Sequence, residues 1–136
     1  SSPWYHQLLT CFGLFAPRFL PDGKLSVLDH YYNNMTIGQL KGNLLIPVYN
    51  MDQNSLQIVK NWKSQQEKET NENFLAKDLV NGASSPPMLF PPVSFSLHGK
   101  EYLFTDPAVL LNSPFLQVLL QIREIFPEKK LTIISI

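Results

Sequence analysis

Cysteine is almost absent: the 136 residues contain one, Cys11, so an intrachain disulfide is excluded and the thiol, set between apolar neighbours, reads as a small buried hydrophobe. Net charge is absent too. Eleven basic and eleven acidic side chains cancel, and no basic run exceeds Lys129-Lys130, which argues against a sequence-independent hold on nucleic acid. No apolar run approaches the roughly 20 residues of a membrane-spanning helix, and the first residues lack the basic-then-apolar order of a signal peptide. Glycine is sparse. Gly13, Gly23, Gly38, Gly42, Gly82 and Gly99 are scattered, and none belongs to a cluster that could cradle a phosphate or an oxyanion. No G-x-S-x-G nucleophile elbow occurs. His6, His30 and His98 show no ligand spacing with Cys11 or the carboxylates, so neither a metal site nor a cofactor is expected.

What remains is the material of one packed domain, 44% hydrophobic and 12% aromatic. The chain lacks an initiator methionine and stops on the strand-like run "LTIISI", so it is expected to be a piece of a longer protein. A short helix is expected near residues 4–11, and Asp22-Gly23 marks a turn. Leu25, Leu28 and Tyr32 then recur at helical spacing, and Thr36 offers a cap for a further turn. "NLLIPVYN" reads as a strand buried on both faces, paired through Asp52-Gln53-Asn54 with "SLQIVKNW", whose Leu56 and Ile58 mark a half-exposed partner. Residues 63–73 carry no apolar side chain and read as a solvated loop, a lid hinge being the other reading.

Phe74, Leu75, Leu79 and Val80 resume helical spacing, with Gly82 placed to end that helix. The four prolines of "SSPPMLFPPV" point to a stiff, extended crossing. "VSFSL" and "EYLFT" flank the turn His98-Gly99-Lys100 as a second hairpin, which leaves Asp106 at a strand end. Asn112 or Ser113 can cap a helix that Pro114 starts and Pro127 ends, with apolar residues 115, 116, 118, 119, 122, 125 and 126 on its buried side. "KKLTIISI" reads as a last buried strand. Strand, capped helix and strand in that order predict a mostly parallel sheet with helices on its faces.

Several of these pieces stand in a telling order. "LLIPVYNMDQNSLQIVKNW" gives a buried strand, a polar turn and a second strand; Ser84, Pro87 and "FPPV" follow a helix; Asp106-Pro107-Ala108 precedes Asn112-Ser113-Pro114. From about residue 20 to the end, this order resembles the carboxy-terminal half of a patatin-like phospholipase catalytic domain, whose Asp-Gly-Gly or Asp-Gly-Ala motif is followed by Asn-Asn-Pro at that spacing.

The resemblance implies a three-layer α/β/α hydrolase fold, seen here as its later strands and helices. Residues 1–136 would be the carboxy-terminal portion of one catalytic domain, with 63–73 as a polar loop. It implies a lipid acyl hydrolase of the phospholipase A or lysophospholipase type, acting through a Ser-Asp dyad on phospholipid or another acyl ester at a membrane surface. Asp106 would supply the dyad's aspartate, supported by Pro107, Ala108 and Asn112, while the serine and the oxyanion glycines would come from the remainder of the catalytic domain. Some members are secreted bacterial effectors that need an activating protein, and the resemblance extends to that possibility for this chain. The departure is Pro107, where the family has glycine: proline fixes φ near −65° and removes a donor. The alternative is therefore a non-catalytic interaction or scaffold domain of the same fold with a degenerate Asp-Pro-Ala motif.

Taken locally, Asp106 reads as a turn or cap residue, since Asp-Pro is a common loop dipeptide, and Asn112 reads as a helix cap. Ser84 and Ser85 have no elbow glycines and do not read as nucleophiles. Met88, Leu89 and Phe90 are expected to pack under their own prolines, insertion into a lipid interface being the other reading.

Overall fold

The computed structural model describes residues 17–62, 73–110, 113, 115–132 and 134. The helix expected near 4–11, the polar stretch 63–72, Asn112 and Pro114 lie outside the described residues, as do 133, 135 and 136 of the expected last strand. Residues 129–132 carry no strand.

Helix α1 spans Asp22–Tyr32. Asp22 and Gly23 therefore open the helix instead of preceding it as a turn, because an acidic side chain in the first turn complements the positive end of the helix dipole. Its one buried residue is Leu28. A 3-10 turn, Ile37–Gln39, follows, and Thr36 N–H donates to Gln39 Oε1 at 2.9 Å. Backbone bonds from Ile37 N–H to Phe74 O and from Ala76 N–H to Met35 O, both 2.9 Å, then tie this turn to the start of α2, Ala76–Ala83.

Two hairpins make the sheet. Strands β1, Leu45–Asn50, and β2, Ser55–Lys60, pair antiparallel in the register Val48↔Gln57, and the Asn50 carbonyl oxygen of the side chain accepts from Asp52 and Gln53 N–H at 3.0 and 3.2 Å, shaping the turn. Strands β3, Val93–Leu97, and β4, Lys100–Thr105, are joined by His98 and Gly99 with φ of 51° and 77°, the positive pair that a tight hairpin turn requires. The sheet order is β2-β1-β4-β3. The expected mostly parallel sheet is corrected here: β1 meets β4 antiparallel through Tyr49↔Thr105 and Asn50↔Phe104, so all the described strand pairs are antiparallel. The expectation rested on a strand, helix and strand order, but residues 129–132 form no strand after the helix, and the four strands that do form lie in two hairpins, which pair antiparallel.

Because side chains alternate along a strand, this register puts Ile46, Val48, Val59, Phe95, Tyr102 and Phe104 on one face, where they meet Ile37, Phe74, Ala76 and Leu79 in the core. Phe74 packs edge-on to Tyr102 and Phe95, with ring centroids 5.1 and 5.7 Å apart. On β2 it is Val59 that enters this core, while Leu56 and Ile58 are half-buried on the other face with Lys60. There Lys60 Nζ donates to Gln121 Oε1 at 2.8 Å, linking the sheet to α3, Phe115–Ile125. The expected buried side of α3 is only partly so: Leu116 and Phe126 are exposed, and residues 118, 119, 122 and 125 are half-buried. Gly82 does not terminate α2 but lies inside it and is buried against Phe104, and Ser84 takes the C-cap.

Candidate functional site

Asp106 stands at the carboxy-terminal end of β4, an inner strand of the sheet. Its backbone, φ −59° and ψ 129°, is the extended conformation that a following proline imposes. Pro107, buried, opens the 3-10 turn Pro107–Val109, a position where a missing N–H costs nothing. Asp106 caps that turn: Oδ1 accepts the Ala108 N–H at 2.8 Å. Asp106 itself is half-buried and Ala108 exposed, so the carboxylate stays accessible at the sheet end. The structure thus brings Asp106, Pro107 and Ala108 into one small cap, while Asn112 lies outside the described residues.

A second network, which the sequence reading missed, holds this cap from behind. Asp106 N–H donates to Ser85 O at 3.1 Å, and Thr105 Oγ1 donates to the same oxygen at 2.6 Å. Ser85 is 1% exposed. Its hydroxyl donates to Asn81 O at 2.7 Å and accepts from Lys24 Nζ at 2.7 Å. Lys24 reaches over from α1 and also donates to Asn81 O and Ser84 O, both at 2.8 Å, with the Phe90 ring 4.8 Å away. Burial lowers the Lys24 pKa from the ordinary lysine value, and the charge of Asp106 works in the opposite direction.

Lys24 and Ser85 have the separation of a serine–lysine catalytic pair, but their hydrogen bonds point the wrong way. A base must receive the serine proton, whereas the Ser85 proton goes to Asn81 O and Lys24 donates all three of its own. Both groups are satisfied structural partners. Ser84 caps α2 and is exposed, again without an elbow.

The proline segment departs from the extended crossing that was expected. Leu89 and Phe90 N–H both bond to Pro86 O, at 3.2 and 3.1 Å, so the chain turns here, with Met88 at φ 70°. Proline's fixed φ suits a turn as well as an extended path. Phe90 packs inward against Phe19 at 5.6 Å between centroids, whereas Met88 is 63% exposed and Leu89 is exposed too, so of the three only Phe90 packs as expected. Beside this turn lies a cavity of about 240 Å³, walled by apolar residues that include Leu25 and Phe90 and lined by the polar Asp78, Asn81, Ser85 and Ser94. Desolvation raises the Asp78 pKa, Lys77 lowers it, and Asp29 adds to the rise. Asp106 does not line this cavity.

Among the described residues no three of His, Cys, Asp and Glu gather as a metal site, and no helix is long and apolar enough to cross a membrane. The site and fold together define a mixed α/β domain with an antiparallel four-stranded sheet and a capped aspartate at the end of an inner strand. No family model and no curated protein matches the chain.

Proposed function

We propose that this chain is the carboxy-terminal part of a patatin-like catalytic domain, a three-layer α/β/α lipid acyl hydrolase of the phospholipase A or lysophospholipase type, with Asp106 as the general base. The observation that supports it best is the setting of Asp106: a half-exposed carboxylate, at the end of an inner strand, fixed at its backbone by Ser85 O and at its side chain by Ala108 N–H. A carboxylate offers about four acceptor sites, so the cap leaves capacity to take a serine proton. In the reaction, a serine from the remainder of the domain attacks the acyl carbonyl as its proton passes to Asp106. The ester bond breaks with departure of the protonated alcohol, and water then releases the fatty acid from the acyl-enzyme. An aspartate is a weak base for a hydroxyl, so close positioning must do most of the work. Phospholipid or another acyl ester at a membrane surface is the substrate class.

Asp106→Asn in the intact protein tests this. It should lower kcat on acyl esters by on the order of a thousandfold while leaving melting unchanged. Activity within about threefold of the parent would make Asp106 a turn residue only. A second reading, a scaffold domain of the same fold, draws on the cap itself, since Asp106 and Pro107 form a complete structural unit without any chemistry. The two part on whether a G-x-S-x-G serine and a glycine-rich loop accompany this segment in its polypeptide.

A further inference from the structure

Lys24 is distant from Asp106 in sequence, yet it closes the network on which the Asp106 backbone hangs. An ammonium has three donors, and all three are spent on the carboxy-terminal turn of α2 and the residues just past it: Asn81 O, Ser84 O and Ser85 Oγ. A helix ends there with unpaired carbonyls and partial negative charge, which a cation neutralises. The same turn presents the Ser85 carbonyl to Asp106 N–H and to Thr105 Oγ1. Any shift of that carbonyl moves the end of β4 and the carboxylate it carries.

We propose that Lys24 is a positioning residue for Asp106, holding the Ser84-Ser85 turn so that the Ser85 carbonyl fixes where the aspartate stands. It acts through Ser85 and touches no substrate. Its ammonium lies against Phe90 at 4.8 Å and is partly desolvated, and a lysine free of such a task stays in water. The side-chain cap from Ala108 orients the Asp106 carboxylate, but the Ser85 carbonyl restrains its backbone, so losing the Lys24 anchor would not be made good by the cap.

Lys24→Met keeps the stem and removes the donors. In the intact protein, amide hydrogen exchange at Asp106 and Ser85 should quicken by on the order of tenfold, while Val59 in the β1–β2 hairpin keeps its protection. The catalytic arm rests on the hydrolase reading: kcat on an acyl ester should fall by on the order of ten- to a hundredfold, with KM within about twofold. Ser85→Ala, which removes one acceptor and leaves the carbonyl, should change the same amides, and the double variant should fall short of the sum because both act on one turn. Unchanged exchange at Asp106, additive effects, or loss of protection spread evenly over the hairpin would overturn the proposal. If Lys24→Met does not fold, Ser85→Ala alone decides, by the same local signature or its absence. A parent protein without acyl-ester turnover would defeat the hydrolase reading, and the exchange measurement would still decide the role of Lys24.

Discussion

Gly82→Ala sets two effects of similar size against each other. Gly82 lies within α2 and outside the left-handed region, so an alanine there suffers no backbone strain and would, in an open helix, stabilise by up to about 1 kcal/mol. Space decides otherwise. A Cβ at this position would stand 2.7 Å from Phe104 Cβ and 3.7 Å from two atoms of its ring. Carbon atoms rest at about 3.5–4.0 Å, so the two must separate by roughly 1 Å. Neither Cβ can rotate away, since each is fixed to its own backbone. Phe104 is fully buried, held in the ladder opposite Asn50 and Val93, and its ring meets Phe95 at 5.2 Å and Tyr102 at 5.6 Å. The helix must lift from the sheet, and overpacking of this kind costs about 1–3 kcal/mol.

The net expectation is a loss of about 1–2 kcal/mol, read as a lower urea midpoint at unchanged m-value. Gly23→Ala is the matched control. Gly23 is also helical, but nothing lies within 4 Å of an added Cβ, so that variant should be neutral or gain up to about 1 kcal/mol. Gly82→Ala as stable as the parent, with Gly23→Ala behaving as expected, would show that α2 yields freely and that the helix–sheet contact is not close-packed.

Pro107→Gly should destabilise by about 2–3 kcal/mol, through a looser unfolded chain and the loss of a buried ring, and on the hydrolase reading turnover should change little; a rise above about tenfold would mean that proline distorts the site. Asp78→Asn should alter the pH dependence of stability. Desolvation raises the Asp78 pKa on folding, so its contribution is full below its ordinary range near 3.8 and is lost as pH rises through the raised value. Melting of the parent relative to the asparagine variant should therefore fall between acid and neutral pH, and parallel curves would contradict the desolvated carboxyl.

The hairpins and the two central helices were legible because their signals are local. Asp52-Gln53-Asn54 and His98-Gly99 carry turn chemistry within a few residues of the strands they join, and Leu28 and Leu79 fall at helical spacing. Sheet direction was not legible. It depends on β1 meeting β4 through Asn50↔Phe104 and one neighbouring pair, a contact between distant segments with no pattern of its own. Gly82 was read as a helix stop because glycine usually ends helices, yet here its missing side chain admits Phe104. Lys24 was passed over for a related reason: two of its partners are backbone carbonyls, and any residue can supply those. Asp106 at a strand end was legible, but its tie to Ser85 was not.

Pro107, which stands where the proposed family would have glycine, bears on which of the two proposed readings its geometry favours. Glycine at such a place offers positive φ or a spare N–H, and this backbone uses neither. Asp106 is extended, Pro107 begins a 3-10 turn, and the capping donor is the N–H of Ala108, one residue beyond. A proline at the first helical position removes a donor that has no intrahelical partner, so the carboxylate keeps its bond from the Ala108 N–H and its orientation. The substitution stiffens the turn without redirecting the aspartate. On the proposed hydrolase reading, a site lost to catalysis would therefore have to be lost at the serine or at the oxyanion donors, not at Asp106.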